Sequence, residues 1–280
     1  MSSSSCTFDS PDADVILRAP LQSGVDDLFK DFRVHKLILS IASTVFQNTF
    51  SIPQPPRHTS GDTKLDVVRI SESAEVVETF LQLIYPVDPP VITDLQLLDN
   101  VLRLADKYMA GCVITRLRKI LVSPSFLKDD PIGVFIVACH NNLEVEEKVA
   151  VLHTFSIDVV RQISEEHVQA MTTKAYHRLL TKHAIRRGRL IDVFDSARDA
   201  AHSQYTRWSD PCPCYGGLKE QVLLEISGRP FLDREVLDKC LAKGGRRPPC
   251  SAESRCIQTP GKDAEFMSDV VRRIQAMAME

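Results

Sequence analysis

The sequence has no long hydrophobic run and no large excess of charge of one sign. No stretch approaches the roughly 18 apolar residues that a membrane-spanning helix needs. The formal net charge is −3 over 280 residues, so the whole molecule gives no electrostatic reason to bind nucleic acid or an anionic membrane. The opening segment, MSSSSCTFDSPDAD, has neither a basic start nor an apolar run and does not read as a secretory signal. These absences favour an intracellular protein, in the nucleus or the cytoplasm.

The sequence also lacks the short motifs that carry common catalytic chemistry. We find no nucleophile elbow, no paired histidines at metal-binding helical spacing and no glycine-rich phosphate loop. His35 is the histidine in the most suggestive setting, because with Lys36 it separates an alternating stretch from an apolar run. A catalytic histidine needs a nucleophile, a carboxylate or a metal within reach, and no such motif surrounds it. We therefore expect no enzymatic activity, and expect a ring nitrogen of His35 to bond a backbone group at a helix start.

Cysteines are concentrated near the C-terminus. Of the eight in the chain, Cys240 and four others lie in the final quarter, and without a secretory signal they are expected to be reduced thiols. Zinc prefers ligand pairs about two to four residues apart, which neither closely spaced pair here satisfies. The favoured interpretation is partly packed thiols and no cofactor. The alternative is a zinc site formed by Cys212, Cys214, Cys250 and Cys256.

A basic run occupies a predicted helix in the second half of the chain. Such a run resembles a phosphate-binding stripe, but no aromatic residues are interleaved with it for base stacking, and the chain as a whole is acidic. We therefore expect a solvated helix face or a surface for a protein partner, and no direct nucleic-acid binding. The residues of the run are Lys182, His183, Arg186, Arg187 and Arg189.

The first half of the chain predicts an α+β domain over residues 12–122, after a serine-rich segment, 1–11, that we expect to be disordered. Ser43 is expected to cap the second of two short helices, and Thr93 with Gln96 to form a capping box on a later one. Further helices are predicted from Ser73 and over Val113–Leu121. The predicted strands are Asp14–Ala19, Leu28–Val34 and Leu65–Ile70.

The second half predicts an all-helical unit over residues 126–200 and a separate tail over 201–280. Asp130 is suited to cap a helix that begins at Pro131, and Tyr176 is expected on the buried face of a long helix. The tail is expected to be mostly loop, with helices at LKEQVLLEIS and AEFMSDVVRRIQAMAME. The other predicted helices of the unit are 144–155, 164–171 and 174–198.

Three separated motifs in the first half resemble the BTB/POZ domain. The first is an apolar-x-apolar-His-Lys step followed by a leucine and a Ser-x-x-Phe turn, formed by Phe32, Val34, His35, Lys36, Leu39, Ser43 and Phe46. The second is an apolar helix ending in tyrosine, with Phe80, Leu83, Ile84 and Tyr85. The third is the A-D-K-Y segment of Ala105, Asp106, Lys107 and Tyr108.

The resemblance implies the BTB fold, a small three-stranded sheet capped by helices, and a structural role for the motif residues. The helices over 131–198 are similar to the BACK-like region that often follows a BTB domain. The whole arrangement resembles BTB proteins of basidiomycete fungi, in which a short cysteine-containing tail follows.

The same resemblance implies a non-enzymatic protein-interaction module. BTB domains dock onto cullin-type ubiquitin ligases as substrate adaptors, associate with themselves, or recruit transcriptional corepressors. The expected partners are therefore proteins, a cullin or a second copy, and contacts with them are expected at Phe46, Phe50 and Ile52.

Two departures from the family pattern keep both functions open. Only residues 1–11 precede the first strand, so we expect no dimer of the kind that exchanges an extra N-terminal helix and strand. The loop SIPQPP carries Gln54 where ligase adaptors carry an acid after an apolar residue. An adaptor and a self-associating or corepressor-type scaffold both remain candidates.

Overall fold

A computed structural model describes residues 8–22, 28–52, 65–205, 213–244 and 262–277. The chain divides into two compact units, Met1–Lys148 and Val149–Glu280. The elements of the first unit are β1 Val15–Pro20, β2 Phe29–Val34, α1 Lys36–Ala42, α2 Thr44–Ser51, β3 Asp66–Arg69, α3 Ala74–Ile84, α4 Leu95–Lys107, α5 Gly111–Leu121, α6 Pro124–Asp129 and α7 Pro131–His140. The remaining elements are α8 Glu144–Thr154, α9 Val159–Gln162, α10 Glu165–Ala170, α11 Thr173–Tyr205, α12 Pro213–Gly228, α13 Arg234–Gly244 and α14 Lys262–Met277. A small sheet with many helices confirms the predicted α+β class.

The sheet of the first unit has the order β2-β1-β3, with β1 antiparallel to β2 and parallel to β3. Alternate residues of β1 (Val15, Leu17 and Ala19) are buried, as expected for a strand with one face on a core. Leu17 pairs with Phe32 of β2, which is buried on the same side. All three predicted strands are present, although β3 is shorter than predicted.

The N-terminal segment is more ordered than predicted. The expectation of disorder over residues 1–11 is wrong for residues 8–10, whereas residues 1–7 lie outside the described part of the chain. Phe8 is buried, and its ring meets those of Phe32 and Tyr85 edge-on, with centroids 6.2 and 5.2 Å away. The carbonyl oxygen of Phe8 accepts from the backbone N–H of Arg33 at 2.8 Å. The Phe8 ring and the contacts of Arg33 with Phe8, Asp9 and Ser10 together anchor this segment.

Two of the three predicted helix caps are confirmed. The Ser43 hydroxyl oxygen accepts from the backbone N–H of Phe46 at 3.1 Å, at the start of α2. The Asp130 carboxylate accepts from the backbone N–H of Gly133 at 2.8 Å, and Pro131 is the first residue of α7. Each cap satisfies a backbone donor that has no partner inside the helix.

The predicted capping box at Thr93 and Gln96 is wrong by one residue. Asp94 caps α4, and its two carboxylate oxygens accept from the backbone N–H groups of Gln96 and Leu97 at 3.2 and 2.9 Å. A carboxylate can accept from both donors at once and also interacts favourably with the positive end of the helix dipole, which a threonine hydroxyl cannot do as well.

The boundary between the first and second predicted domains also differs. The helices α6 and α7 belong to the first unit and not to the helical unit predicted over 126–200. Asp99 of α4 shows why, because this buried carboxylate accepts from the side-chain amide of Asn141 at 2.6 Å and lies 3.1 Å from Nδ1 of His140. The end of α7 is therefore fastened to α4 by buried polar contacts that the sequence pattern does not display.

The predicted separation of the tail at residue 200 is not observed. Residue 200, the predicted boundary, lies inside α11. The helices α12, α13 and α14 share one hydrophobic core with the C-terminal part of α11. The helix α12 begins at Pro213, inside a predicted loop, and α13 was not predicted. The core residues are Leu190, Phe194, Ala197, Tyr215, Leu218, Val222, Ile226, Leu232, Val236, Leu237, Cys240, Phe266, Met267, Val270 and Ile274.

Two side chains illustrate the details of this second unit. Tyr176, predicted to be buried, is exposed, whereas Ala175 and Leu179 of α11 are buried, so the buried face of α11 is shifted by one residue. Cys240 is fully buried, and this burial raises its thiol pKa to about 11. The thiol is therefore protonated at neutral pH, in agreement with the expectation of packed free cysteines.

The shared core predicts how the second unit responds to loss of one aromatic ring. The ring of Phe194 contacts the rings of Tyr215 and Phe266, with centroids 5.2 and 5.7 Å away. We expect Phe194→Ala to destabilise this unit by about 3–5 kcal/mol and to speed hydrogen exchange of amides in both α12 and α14. Leu224→Ala, at an exposed position of α12, is the matched control. Unchanged exchange in α14 would contradict a common core.

Candidate functional site

His35 lies where the sheet gives way to the helices. Its backbone N–H donates to the hydroxyl of Tyr85 at 2.8 Å, and its ring Nδ1 lies 3.2 Å from the same oxygen. The ring Nε2 is 3.4 Å from the Asp12 carboxylate. The predicted contact between the ring and a backbone group is therefore wrong, since the ring faces a tyrosine hydroxyl and a carboxylate. Burial raises the pKa of Tyr85, so its hydroxyl stays protonated.

Lys36 fixes the first turn of α1 against the sheet. Its backbone N–H donates to the Asp14 carboxylate at 2.7 Å, just before β1. Its ammonium Nζ donates to the Asp66 carboxylate, at the first residue of β3, at 2.8 Å. The His-Lys step thus connects α1 to both neighbouring strands.

The first and third sequence motifs meet at an aromatic stack. The ring of Phe46 lies parallel to that of Tyr108, with centroids 4.5 Å apart. The ring of Phe50 also stacks on that of Phe46, with centroids 5.7 Å apart. The Ser43 hydroxyl donates to the carbonyl oxygen of Tyr108. Burial raises the pKa of Tyr108 to about 12. These contacts join the start of α2 to the end of α4.

The motif residues differ in how far they are buried, and this distinguishes those that support the fold from those on the surface. Phe46 is 2% exposed, so the prediction that it contacts partners is wrong, because its ring is already covered by Tyr108 and Phe50. Phe50 is half-buried, and Ile52 is 62% exposed. The proline loop that follows Ile52 lies outside the described residues. The remaining motif residues that are buried are Phe32, Val34, Leu39, Ser43, Phe80, Leu83 and Ala105, whereas Asp106 is exposed.

An exposed apolar pair on α1 was missed by the sequence analysis. Leu37 is 70% exposed and Ile41 is 79% exposed, while Leu39 between them is fully buried. Leu37 and Ile41 are four residues apart, so they lie on the same face of the helix. This spacing was visible in the sequence, but a uniformly apolar run does not reveal which of its residues faces the core.

Comparison with protein families accounts for this arrangement. The sequence model of the BTB/POZ domain family matches residues 23–125, which include the His-Lys step, the tyrosine-ended helix and the A-D-K-Y segment. This chain contains a BTB/POZ domain. No curated protein matches the chain. The family supports a role in protein–protein interaction.

Beyond the BTB domain, the basic run does not form one solvated face. His183 is 4% exposed, its Nε2 lies 2.9 Å from the hydroxyl of Thr154, and its ring meets that of Phe155 edge-on. Burial, and next the charge of Arg187, lower the pKa of His183 to about 4. Arg186 lies over the Phe155 ring, 5.5 Å from its centroid. The expected solvated face is therefore wrong for His183 and Arg186.

The predicted zinc site stays a prediction. Cys212, Cys250 and Cys256 lie outside the described residues, and the side chain of Cys214 is not described either. Within the described ranges, no group of three or more histidine, cysteine or acidic side chains is arranged to hold a metal ion. Among the helices that the structure describes, none is long and apolar enough to cross a membrane.

The contacts of His35 predict a structural role for Tyr85. We expect Tyr85→Phe to destabilise the BTB domain by about 1–3 kcal/mol, because the backbone N–H of His35 loses its acceptor in a partly buried position. Native-state hydrogen exchange of amides in β1 and β2 measures this loss. Tyr176→Phe, at an exposed position, is the matched control. Full stability of the Tyr85 variant would contradict the structural role.

The buried imidazole of His183 predicts a pH dependence. Histidine in the unfolded chain has a pKa of about 6.5, whereas that of folded His183 is about 4. Between these values the unfolded chain binds more protons, so the free energy of unfolding should fall as the pH is lowered.

The contribution of His183 is measured by urea unfolding across this pH range. His183→Gln should reduce the slope of unfolding free energy against pH by up to about 1.4 kcal/mol per pH unit, the value for one proton. His153→Gln, at an exposed position of α8, is the matched control. An unchanged slope in the His183 variant would show that the ring is not kept neutral by the fold.

Proposed function

We propose that this protein is a non-enzymatic scaffold whose BTB domain binds another protein through α1. The observation that carries the proposal is the exposed pair Leu37 and Ile41, 70% and 79% exposed on one face of a short helix. Interfaces gain most of their affinity from a few apolar anchors that become fully desolvated. Two such anchors on neighbouring turns are suited to fill pockets on a partner.

The helix that carries the pair is held rigidly, which lowers the entropic cost of binding. Leu39 points into the core, and Lys36 is bonded to Asp14 and Asp66 on the two sides of the first turn. The backbone N–H of Ser43 donates to the carbonyl of Leu39 at 2.9 Å and ends the helix. A preorganised surface binds with less loss of conformational freedom.

A second copy of the chain is the favoured partner. Besides Lys36, which is bonded to Asp66, α1 carries no charged side chain, so two such helices can approach without like-charge repulsion. A symmetric dimer needs only one self-complementary patch. This supports the self-associating scaffold.

A cullin adaptor is the second candidate. Ile52 follows α2 and is 62% exposed, at the place where adaptors of this family carry an exposed apolar residue. The acid that adaptors carry two residues later is replaced by Gln54. In this function the BTB domain would bind the ligase, and the remainder of the chain would bind the substrate.

Light scattering of the purified protein, alone and mixed with a cullin N-terminal domain, tests both candidates. We expect a dimer that does not bind cullin, and we expect the double variant Leu37→Asp, Ile41→Asp to weaken dimerisation by at least about 30-fold, since each anchor is worth more than about 1 kcal/mol. Val91→Asp, at an exposed apolar position between α3 and α4, is the matched control and should leave the dimer intact.

The other outcomes discriminate between the candidates. A monomer that forms a one-to-one complex with cullin, and loses it in Ile52→Asp, would overturn self-association and support the adaptor. A dimer that survives the double variant would contradict the assignment of α1. A monomer that binds no cullin would contradict both candidates.

A further inference from the structure

The second unit contains a cavity of about 410 Å3 that the proposed function does not use. Pockets of this size accommodate small organic ligands. One wall is a face of α11, formed by Leu180, His183 and Arg187, which are three and four residues apart. The rest of the lining includes the α9 segment, with Asp158 and Arg161, and the end of α12 at Gly228.

The end of α12 comes unusually close to the α9 segment. A Cβ atom on Gly228 would lie 2.6 Å from one carboxylate oxygen of Asp158 and 3.1 Å from its carboxyl carbon. A larger residue at position 228 would therefore displace the Asp158 carboxylate from this wall of the cavity. The Asp158 carboxylate also accepts from the backbone N–H of Arg161, which caps α9.

Arg187 leaves the cavity with a net positive charge. Its Nε is buried and has no hydrogen-bond partner in the part of the chain that the structure describes. Asp158 is paired with Arg161, whose Nε lies 3.4 Å from the carboxylate, so these two charges offset each other. A buried guanidinium donor without an acceptor costs free energy unless an anion completes its contacts.

His183, which lines the same cavity, is held as a neutral ring. The Thr154 hydroxyl donates to the carbonyl of Val151 at 2.7 Å, so its oxygen accepts from Nε2 of His183. The proton of the neutral ring is therefore on Nε2, and Nδ1 carries a lone pair.

From these contacts we infer that the cavity binds a small oxyanion, a carboxylate or a phosphate group on a short apolar body, with Arg187 as the anion-binding residue. The planar guanidinium matches the geometry of both groups, with which it forms paired charge-assisted hydrogen bonds. Leu180 and Val159 supply apolar lining for the body of the ligand. The site is independent of α1 and of the proposed self-association.

Calorimetric titration of the full chain tests this inference with two probes, inorganic phosphate and butyrate, at neutral pH and constant ionic strength set by chloride. We expect saturable binding of at least one probe, and the preferred probe identifies the oxyanion. Arg187→Gln should weaken this binding at least about tenfold, because it removes a charge-assisted contact. Arg189→Gln, at an exposed position on the same helix, is the matched control and should bind as the wild type does.

A second variant keeps the test decisive if Arg187→Gln does not fold. Ser227 is an exposed residue that lines the cavity, so Ser227→Trp should obstruct it without changing its charge and should also weaken binding. Failure of both probes to saturate the wild-type protein would overturn the inference. Binding that stays unchanged in Arg187→Gln or in Ser227→Trp would overturn it as well. The same is true of binding that Arg189→Gln weakens as much as Arg187→Gln does.

Discussion

The hydrogen bond from the His35 backbone to the Tyr85 hydroxyl determines where the sheet ends and the helices begin. It stops β2 at Val34 and lets α1 start at Lys36, whose own bonds to Asp14 and Asp66 set the rotation of the helix. That rotation directs one apolar residue of α1 into the core and its neighbours outward. The surface proposed for partner binding therefore depends on a half-buried tyrosine about fifty residues further along the chain.

The parts of the fold that depend on local sequence could be predicted. Strand alternation, the Ser43 and Asp130 caps and the spacing of the BTB motifs are short-range patterns, and the structure confirms the elements they imply. The packing of α12 to α14 on α11 could not be predicted in the same way, because it depends on which distant apolar faces meet. The same holds for the contacts of Asp99 with His140 and Asn141, which lie about forty residues away.

The candidate sites show a similar division. The pattern identified Phe46 as an important residue but could not show that Tyr108 covers it. In the basic run, His183 and Arg187 line a cavity while Arg189 is exposed, since each successive residue of a helix turns by about 100°. A cluster of like charges in sequence thus contains residues with different environments and different chemistry.

The anchoring of Phe8 has a consequence for how the domain avoids unwanted assembly. β2 is an edge strand, and the segment around Phe8 and Asp9 runs beside it. The carbonyl oxygen of Phe8 accepts a hydrogen bond from the outward backbone N–H of Arg33. Unpaired edges are templates for strand addition by other chains. A fragment that began at the first predicted strand would leave this edge open, and it would then associate through its backbone instead of through the side chains of α1. Phe8 and Asp9 therefore protect this edge of the sheet, and any fragment meant to report on native assembly has to retain them.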